Sequence, residues 1–365
     1  MLKSNEKNCE IEFWRFVFSS IILLHHAIYL PKYEGGLFGD GSCAVEFFFI
    51  VSGYLLMASV TKANKSIDDK SISIMEDTKD FMIRKIKSFY PEVFIAGTWA
   101  LMLTIVTNTE KMKDLLYRLL GGIINDVFLL RMTGVYEYTG VNAVVWYIST
   151  LLICSLIYYP LLRKYPKRMT NVIIPLLSFF IIGYFMQTGD LSVRNPDAWA
   201  VFTYRGNFRG FAEIGLGIIL FEVVQALKCF RFNKKGKLLL TLVKWGAYCT
   251  TITWMIVSRG RGELLCIILF CVAIAITFSE QSMDSCMYNN KMILWLGKFS
   301  FPLYLSHIIY ANRLVNLVPT SWDFSMLLVC YLICSIMTAV VVMFVSDHIR
   351  SHKVCFKIVG LIINT

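Results

Sequence analysis

Ten apolar stretches of about 20 residues each recur along the chain, at 11–30, 42–61, 89–107, 141–162, 171–187, 208–227, 238–257, 262–279, 292–311 and 324–346. Each is about as long as a helix must be to cross a bilayer's hydrocarbon core. A chain that repeats this pattern end to end cannot hide its apolar surface in a water-soluble core. Of its 365 residues, 56% are hydrophobic and only 17% charged, against roughly 45–50% and 25% in soluble domains. The pattern excludes a soluble globular enzyme, a disordered chain and a secreted disulfide scaffold. It also excludes an outer-membrane barrel, whose strands would be short and strictly alternating. The expected fold class is all-α: a polytopic integral membrane protein of about ten transmembrane helices, forming one domain over 1–365 (core 12–307, last span and basic tail 324–365). The segment 115–130, broken by Gly121 and Gly122, reads as a re-entrant or interfacial piece.

The formal net charge is +11. With the N-terminus placed inside, the inner connections hold 22 Lys and Arg. The outer ones hold 11, counting Arg209 with its adjoining loop. Cytoplasmic loops are the more basic, so both termini are expected on the cytoplasmic side. The basic loop 62–88 belongs to the same side. This accounts for the charge without nucleic acid, for which no basic soluble face exists. The 11 Cys are scattered and form no CxxC pair or zinc-spaced cluster, so neither a metal site nor a disulfide framework is expected. The first apolar block carries Arg15, His25 and His26 and reads as a retained span rather than a cleaved signal.

Ionisable residues inside a span are costly, and each is a functional candidate by default. At 100° per residue, Glu12, Arg15, Ser19, Ile22 and His26 form one stripe, with Arg15 and His26 separated by ~16 Å of helical rise. His25 is turned ~100° from His26. The stripe suits a lined conduit with a histidine at its end and Arg15 as an anion site near the inner mouth. It suits a buried hydrogen-bond network equally well. Histidine titrates near neutrality and could take a proton from a hydroxyl. Physics alone leaves acyl transfer to an alcohol and proton-coupled transport both open.

A series of motifs then points one way. The acidic residue, the Arg three later and the His eleven after that are Glu12, Arg15 and His26. Residues 47–53 form a Phe-rich block ending in Ser52 and Gly53. Span 4 opens on Trp146-Tyr-Ile-Ser149 and closes on Tyr158-Tyr159-Pro160. Arg209 precedes a Gly-x-Gly at 215–217. Span 9 reads WLGKFSFPLYLSH, with Gly297, Ser300, Tyr304 and His307. In this order and spacing the chain resembles the membrane acyltransferase-3 family, integral membrane O-acyltransferases of surface glycans. The resemblance runs from residue 12 to 307. It implies a ten-helix, multi-pass enzyme of the cell inner (plasma) membrane that takes an acyl group, by default acetyl, from cytoplasmic acyl-CoA and delivers it to a hydroxyl of a cell-surface or lipid-linked polysaccharide. Acetyl-CoA or another acyl-CoA would be a donor substrate, with no permanently bound cofactor. His26 would be the catalytic histidine, and Arg15, with Glu12, its partner in the motif.

Two departures stand out. Where the family often has Arg-x-x-Arg before Ile-Tyr-Pro, this chain has Arg84-Lys85-Ile86-Lys87-Ser88-Phe89-Tyr90-Pro91. Arg84, Lys85 and Lys87 still offer three cations for CoA phosphates, or an ordinary positive-inside anchor. Where some members carry a Glu after the span 4 motif, this chain has Leu151 and Leu152. Ser52 and Gly53 suit a close approach to the donor or close helix packing. Glu46 and Glu213 are candidate partners of Arg15 or Arg209. His307 is either a second site residue or a satisfied structural histidine. Tyr29, Trp99 and Trp199 suit an interfacial belt, and His348 and His352 a solvated tail. A transporter or exporter of a glycan or small anion is the alternative function. It lacks the matched, Gly/Pro-broken halves that such proteins often show.

Overall fold

In the computed structural model, residues 8–33, 35, 37–65, 73–137, 140–189, 191, 195–258 and 263–351 are described. The chain is 81% helical with almost no strand, as a bilayer requires of backbone that must satisfy its own hydrogen bonds. The helices are α1 (Cys9–His25), α2 (Ala44–Lys65), α3 (Ile74–Val106), α4 (Met112–Gly121) and α5 (Val145–Lys164). They continue with α6 (Pro166–Thr188), α7 (Arg205–Cys229), α8 (Lys234–Val257), α9 (Glu263–Ser279), α10 (Lys291–Ala311) and α11 (Phe324–Ser351). A two-residue hairpin, β1 (Trp199–Ala200) and β2 (Thr203–Tyr204), precedes α7.

Every expected span falls on a helix. Among the described residues, eight are long and apolar enough to cross a membrane. The other two are α9, which has only 17 residues, and α8, diluted by Lys244, Thr250, Thr251 and Thr253. The basic connection needs correction. Helix α3 begins at Ile74, so Arg84, Lys85 and Lys87 lie on a helix rather than in a loop. Acidic residues in its first turn, Glu76 and Asp77, complement the helix dipole and support this early start. The remainder of 62–88 includes 66–72, outside the described residues, as is His352. The 115–130 segment is the short helix α4 running into a wide π-type turn at Gly122–Val127. Gly122 packs there against Leu101 and Val141.

The chain divides into two compact units. The first comprises Met1–His25, Gly36–Asp80 and Thr150–Gly297. Its centre is the glycine-rich helix α7. A Cβ on Gly53 of α2 would fall on the carbonyl of Ile214, and one on Gly217 would fall on the carbonyl of Ile50. Small residues thus let two backbones touch, as in other membrane helix pairs. Gly215 meets Ser178 and Tyr158 in the same way. Aromatic rings fill the space around α1: Trp14 stacks on Tyr248 at 3.7 Å, and Phe18 lies 4.7 Å from Phe47 and 5.1 Å from Phe270.

The second unit comprises His26–Gly35, Phe81–Ser149 and Lys298–Thr365. Here Trp99 of α3 donates to Tyr310 of α10 at 2.9 Å, and Tyr310 and Thr338 of α11 lie 2.6 Å apart through their hydroxyls. The indole of Trp99 therefore serves to tie helices together. The segment before α5 is fastened to α10 twice: Asn142 Nδ2 donates to the Leu305 carbonyl at 3.0 Å, and Tyr304 Oη donates to the Val144 carbonyl at 2.9 Å.

Candidate active site

In the second unit, the site begins where regular helix ends. Helix α1 stops at His25, and the chain tightens into a 3-10 turn over His26–Tyr29. The α-helical stripe drawn from the sequence therefore ends one residue before His26, because a 3-10 turn advances each side chain by a different angle. His26 Nδ1 lies 3.2 Å from Nε2 of His307, with ring centres 4.8 Å apart. His307 is fully buried on α10, while His26 is only partly covered. Tyr304, one turn before His307, packs its ring 5.9 Å from the imidazole. Tyr29 packs 5.7 Å from that of His26. A hydrogen bond between two imidazoles needs one donor and one acceptor nitrogen, so each ring fixes the other's tautomer.

Trp146, Ser149 and Ser300 of the span 4 and span 9 motifs belong to the scaffold of this unit. Ser149 Oγ accepts from the Met132 backbone N–H at 3.0 Å. Trp146 and Ser300 are buried. Arg84 is exposed, and Lys85 and Lys87 are half-buried. Lys85 lies 5.6 Å over the ring of Phe81. Arg350 stands with this basic stretch, and Lys298 is linked to Arg350 through Asp347. Arg350 donates to the Ser88 carbonyl at 2.7 Å and to Glu92 at 2.5 Å, and Lys298 pairs with Asp347 at 2.5 Å. Arg350 lies past the expected end of the last span, in a basic tail where nothing in the sequence singles it out.

The first unit holds the remaining candidates. Arg15 pairs with Glu12 at 3.2 Å; the arginine side chain is one-third exposed and the glutamate is buried. Gly297 lies against Glu12 so closely that a Cβ would overlap the glutamate side chain. His25 Nδ1 is 2.8 Å from the Phe38 carbonyl, and Gly41 packs on its ring. Ser52 is half-buried, and Gly53 is occupied by the α2–α7 crossing described above. Arg209 lies between Glu213 at 2.8 Å and Glu46 at 3.4 Å, and it also donates to the Ser42 carbonyl. All three charged residues are buried, so this is an internal ion cluster.

A second cluster escaped the sequence reading. Lys244, fully buried on α8, reaches Glu10 at 2.6 Å, Asp284 at 2.7 Å and Ser282 at 3.0 Å. Its presence inside an apolar span was the available signal. Burial opposes ionisation of Asp284, but hydrogen bonds from Lys244 and Trp245 outweigh it and hold the carboxyl below its ordinary range.

Residues 9–345 match the family model described as an acyltransferase domain, that of acyltransferase family 3. The chain belongs to the acyltransferase-3 family. This membrane acyltransferase, with multiple apolar helices, is a multi-pass membrane protein. No curated protein and no solved structure matches the chain. In this acyltransferase the described candidates fall into three groups. They are a histidine pair with tyrosines, a basic stretch with Arg84, Lys85, Lys87, Arg350 and Lys298, and the buried charges of the first unit.

Proposed function

We propose that the protein moves an acyl group, acetyl by default, from cytoplasmic acyl-CoA to a hydroxyl of a surface or lipid-linked glycan. The observation that supports this most is the 3.2 Å approach of His26 to His307 in a chain of an acyltransferase family. For His26 to act as a base, one ring nitrogen must be free of its proton and face the acceptor. If His26 Nδ1–H donates to His307 Nε2, the lone pair of His26 is left on its own Nε2. His307 then plays the part that a carboxylate plays in a hydrolase triad, fixing tautomer and orientation. His26 removes the acceptor hydroxyl proton as that oxygen attacks the thioester carbonyl. The tetrahedral intermediate collapses, the C–S bond breaks, and the CoA sulfur leaves with the proton held by His26. The products are an ester and free CoA.

The donor's phosphates need cations. In this reading Arg84, Lys85 and Lys87 supply them, with Arg350 and Lys298 adjoining. Charge-assisted hydrogen bonds to phosphate are among the stronger polar contacts. Arg15, paired with Glu12 and part exposed, remains an anion-site candidate within the first unit, where Gly53 serves the α2–α7 crossing. The cation bias of the loops supports a cytoplasmic N-terminus, and membership of the family supports an inner-membrane location. The test is transfer from labelled acetyl-CoA in membranes carrying the wild type or His26→Ala, with surface glycans read by mass spectrometry. Loss of one acetyl unit per repeat is expected in the variant, and unchanged acetylation would remove the mechanism.

A further inference from the structure

The second unit contains another polar feature that the reaction above does not use. A cavity of about 360 Å³ is lined by Arg118, Arg131, Arg313, Asn108, Asn312 and Asn316 among others. This is within the range of cavities that hold small ligands, about 300–1,000 Å³. Its walls come from the end of α3, α4, the segment before α5 and the turn after α10.

The charges in this cavity do not balance. Arg131 pairs with buried Asp126 at 3.2 Å, and Arg118 pairs with Glu110. Arg313 is 8% exposed and donates to two neutral acceptors, the carbonyls of Ile309 at 3.3 Å and Val141 at 3.1 Å. Among the described residues, no carboxylate comes within ion-pair distance of Arg313. A buried cation without a counter-ion is unfavourable. Burial, with Arg118 beside it, pushes the Arg313 guanidinium down to about 10. Three guanidiniums therefore face two carboxylates, and the surplus charge sits on Arg313, which is buried like Arg131 and unlike Arg118. Three asparagines and Thr104, Thr107 and Thr109 complete a polar lining, of residue types that exchange hydrogen bonds with sugar hydroxyls.

The cavity is also tied to the histidine pair. Arg313 follows His307 by six residues, about 9 Å of rise if the helix is continued. Asn142 and Val144 are hydrogen-bonded to Leu305 and Tyr304, the residues just before His307. A ligand in the cavity would thus be held by the same scaffold that carries His307.

We infer that this cavity is an acceptor subsite for an oxyanion on a sugar residue, the carboxylate of a uronic acid or a phosphate ester, with Arg313 as its ion-pair partner. The inference rests on the acyltransferase reading for the word acceptor, but the binding itself does not. With the N-terminus inside, the connections that form the cavity lie on the outer side, where a surface glycan would arrive.

The test uses the full-length protein in lipid nanodiscs without acyl-CoA. Calorimetry compares methyl glucuronoside, glucose 6-phosphate and methyl glucoside. At least one acidic sugar should bind about tenfold or more tightly than the neutral one, and the preference should shrink as salt is raised. The tighter of the two acids identifies the source of the oxyanion. Arg313→Gln should abolish the preference and Arg313→Lys should keep part of it. Arg118→Gln, at a half-exposed position, should weaken it severalfold and serves as the control if Arg313→Gln fails to fold. Equal binding of acidic and neutral sugars by the wild type overturns the inference, as does an unchanged preference in Arg118→Gln and any folded Arg313 variant. Intact, Arg313-dependent binding with no acyl transfer counts against the enzymatic reading alone. Transfer with no preference for acidic acceptors counts against the subsite alone.

Discussion

His307 Nε2 lies 3.2 Å from His26 Nδ1, although 281 residues separate them in the chain. One imidazole is fully buried and the other is part exposed. In the proposed mechanism that asymmetry gives the rings different jobs: the part-exposed ring would meet substrate, and the buried ring would position it. His26→Ala should lower acyl transfer about 10²–10⁴-fold, the usual worth of a general base. His307→Ala should lower kcat less and shift the pH profile, because His26 loses its tautomer partner. His307→Gln, whose amide oxygen still accepts, should restore part of the rate. The measurement is transfer from labelled acetyl-CoA against pH. Identical profiles for wild type and His307→Ala would remove the positioning role.

The basic stretch on α3 should act on donor binding and not on chemistry. Arg84 and Lys87 are three residues apart on a helix, so they share a face. Arg84→Ala with Lys87→Ala should raise KM for acyl-CoA about tenfold or more, with kcat nearly unchanged. Such a split marks loss of binding shared by ground and transition states. The effect should weaken as salt rises, because exposed charges are screened. A fall in kcat at constant KM would place these residues elsewhere in the mechanism.

Much of this was legible in the sequence. Apolar length found a helix for every expected span, because in a bilayer continuous hydrophobicity leaves few alternatives. The motifs marked His26 and His307 separately, but no spacing rule could say that two residues so distant in sequence would meet. The α3 start was missed because its first four turns are polar and lie outside any hydropathy window, while helical propensity and dipole complementarity extend the helix there. The Lys244–Glu10–Asp284 cluster was missed for another reason. Its members come from three separated segments, each of which looks like an isolated charge. Glu12 and Arg15 share a helix face and pair at 3.2 Å, but the α-helical pitch that relates them ends at His25, where the turn changes.

Gly53 and Gly217 should tolerate no side chain. A Cβ at Gly53 would fall on the Ile214 carbonyl, which is backbone and cannot rotate away. Gly53→Leu should destabilise the α2–α7 pair by more than the 1–3 kcal/mol typical of overpacking, seen as a lower midpoint in thermal unfolding in detergent. Gly246, with open space around its Cβ position, provides the control: Gly246→Ala should leave the midpoint nearly unchanged. Equal midpoints for Gly53→Leu and Gly246→Ala would show that the crossing is not tight.

Asp126 gives the fold a specific dependence on pH. It lies outside the candidate membrane spans and accepts from the backbone N–H groups of Val141 at 2.6 Å and Asn142 at 2.8 Å, beside Arg131. Burial pushes its carboxyl up to about 6, against the opposing pull of Arg131 and the two N–H groups. Its folded pKa therefore exceeds the unfolded value of 3.8. A raised folded pKa means that the native chain binds the proton more tightly than the unfolded chain does. The associated stability is fully present below the unfolded value and is lost as pH rises through about 6. Between pH 7 and pH 5 the gain should be on the order of 1 kcal/mol. Asp126→Asn removes this titration, so the difference in stability between wild type and variant should change by that amount across the interval, in favour of the wild type at the lower pH. Denaturation in detergent at several pH values measures it. A difference that stays constant from pH 7 to 5, or grows with the opposite sign, would show that Asp126 titrates in its ordinary range.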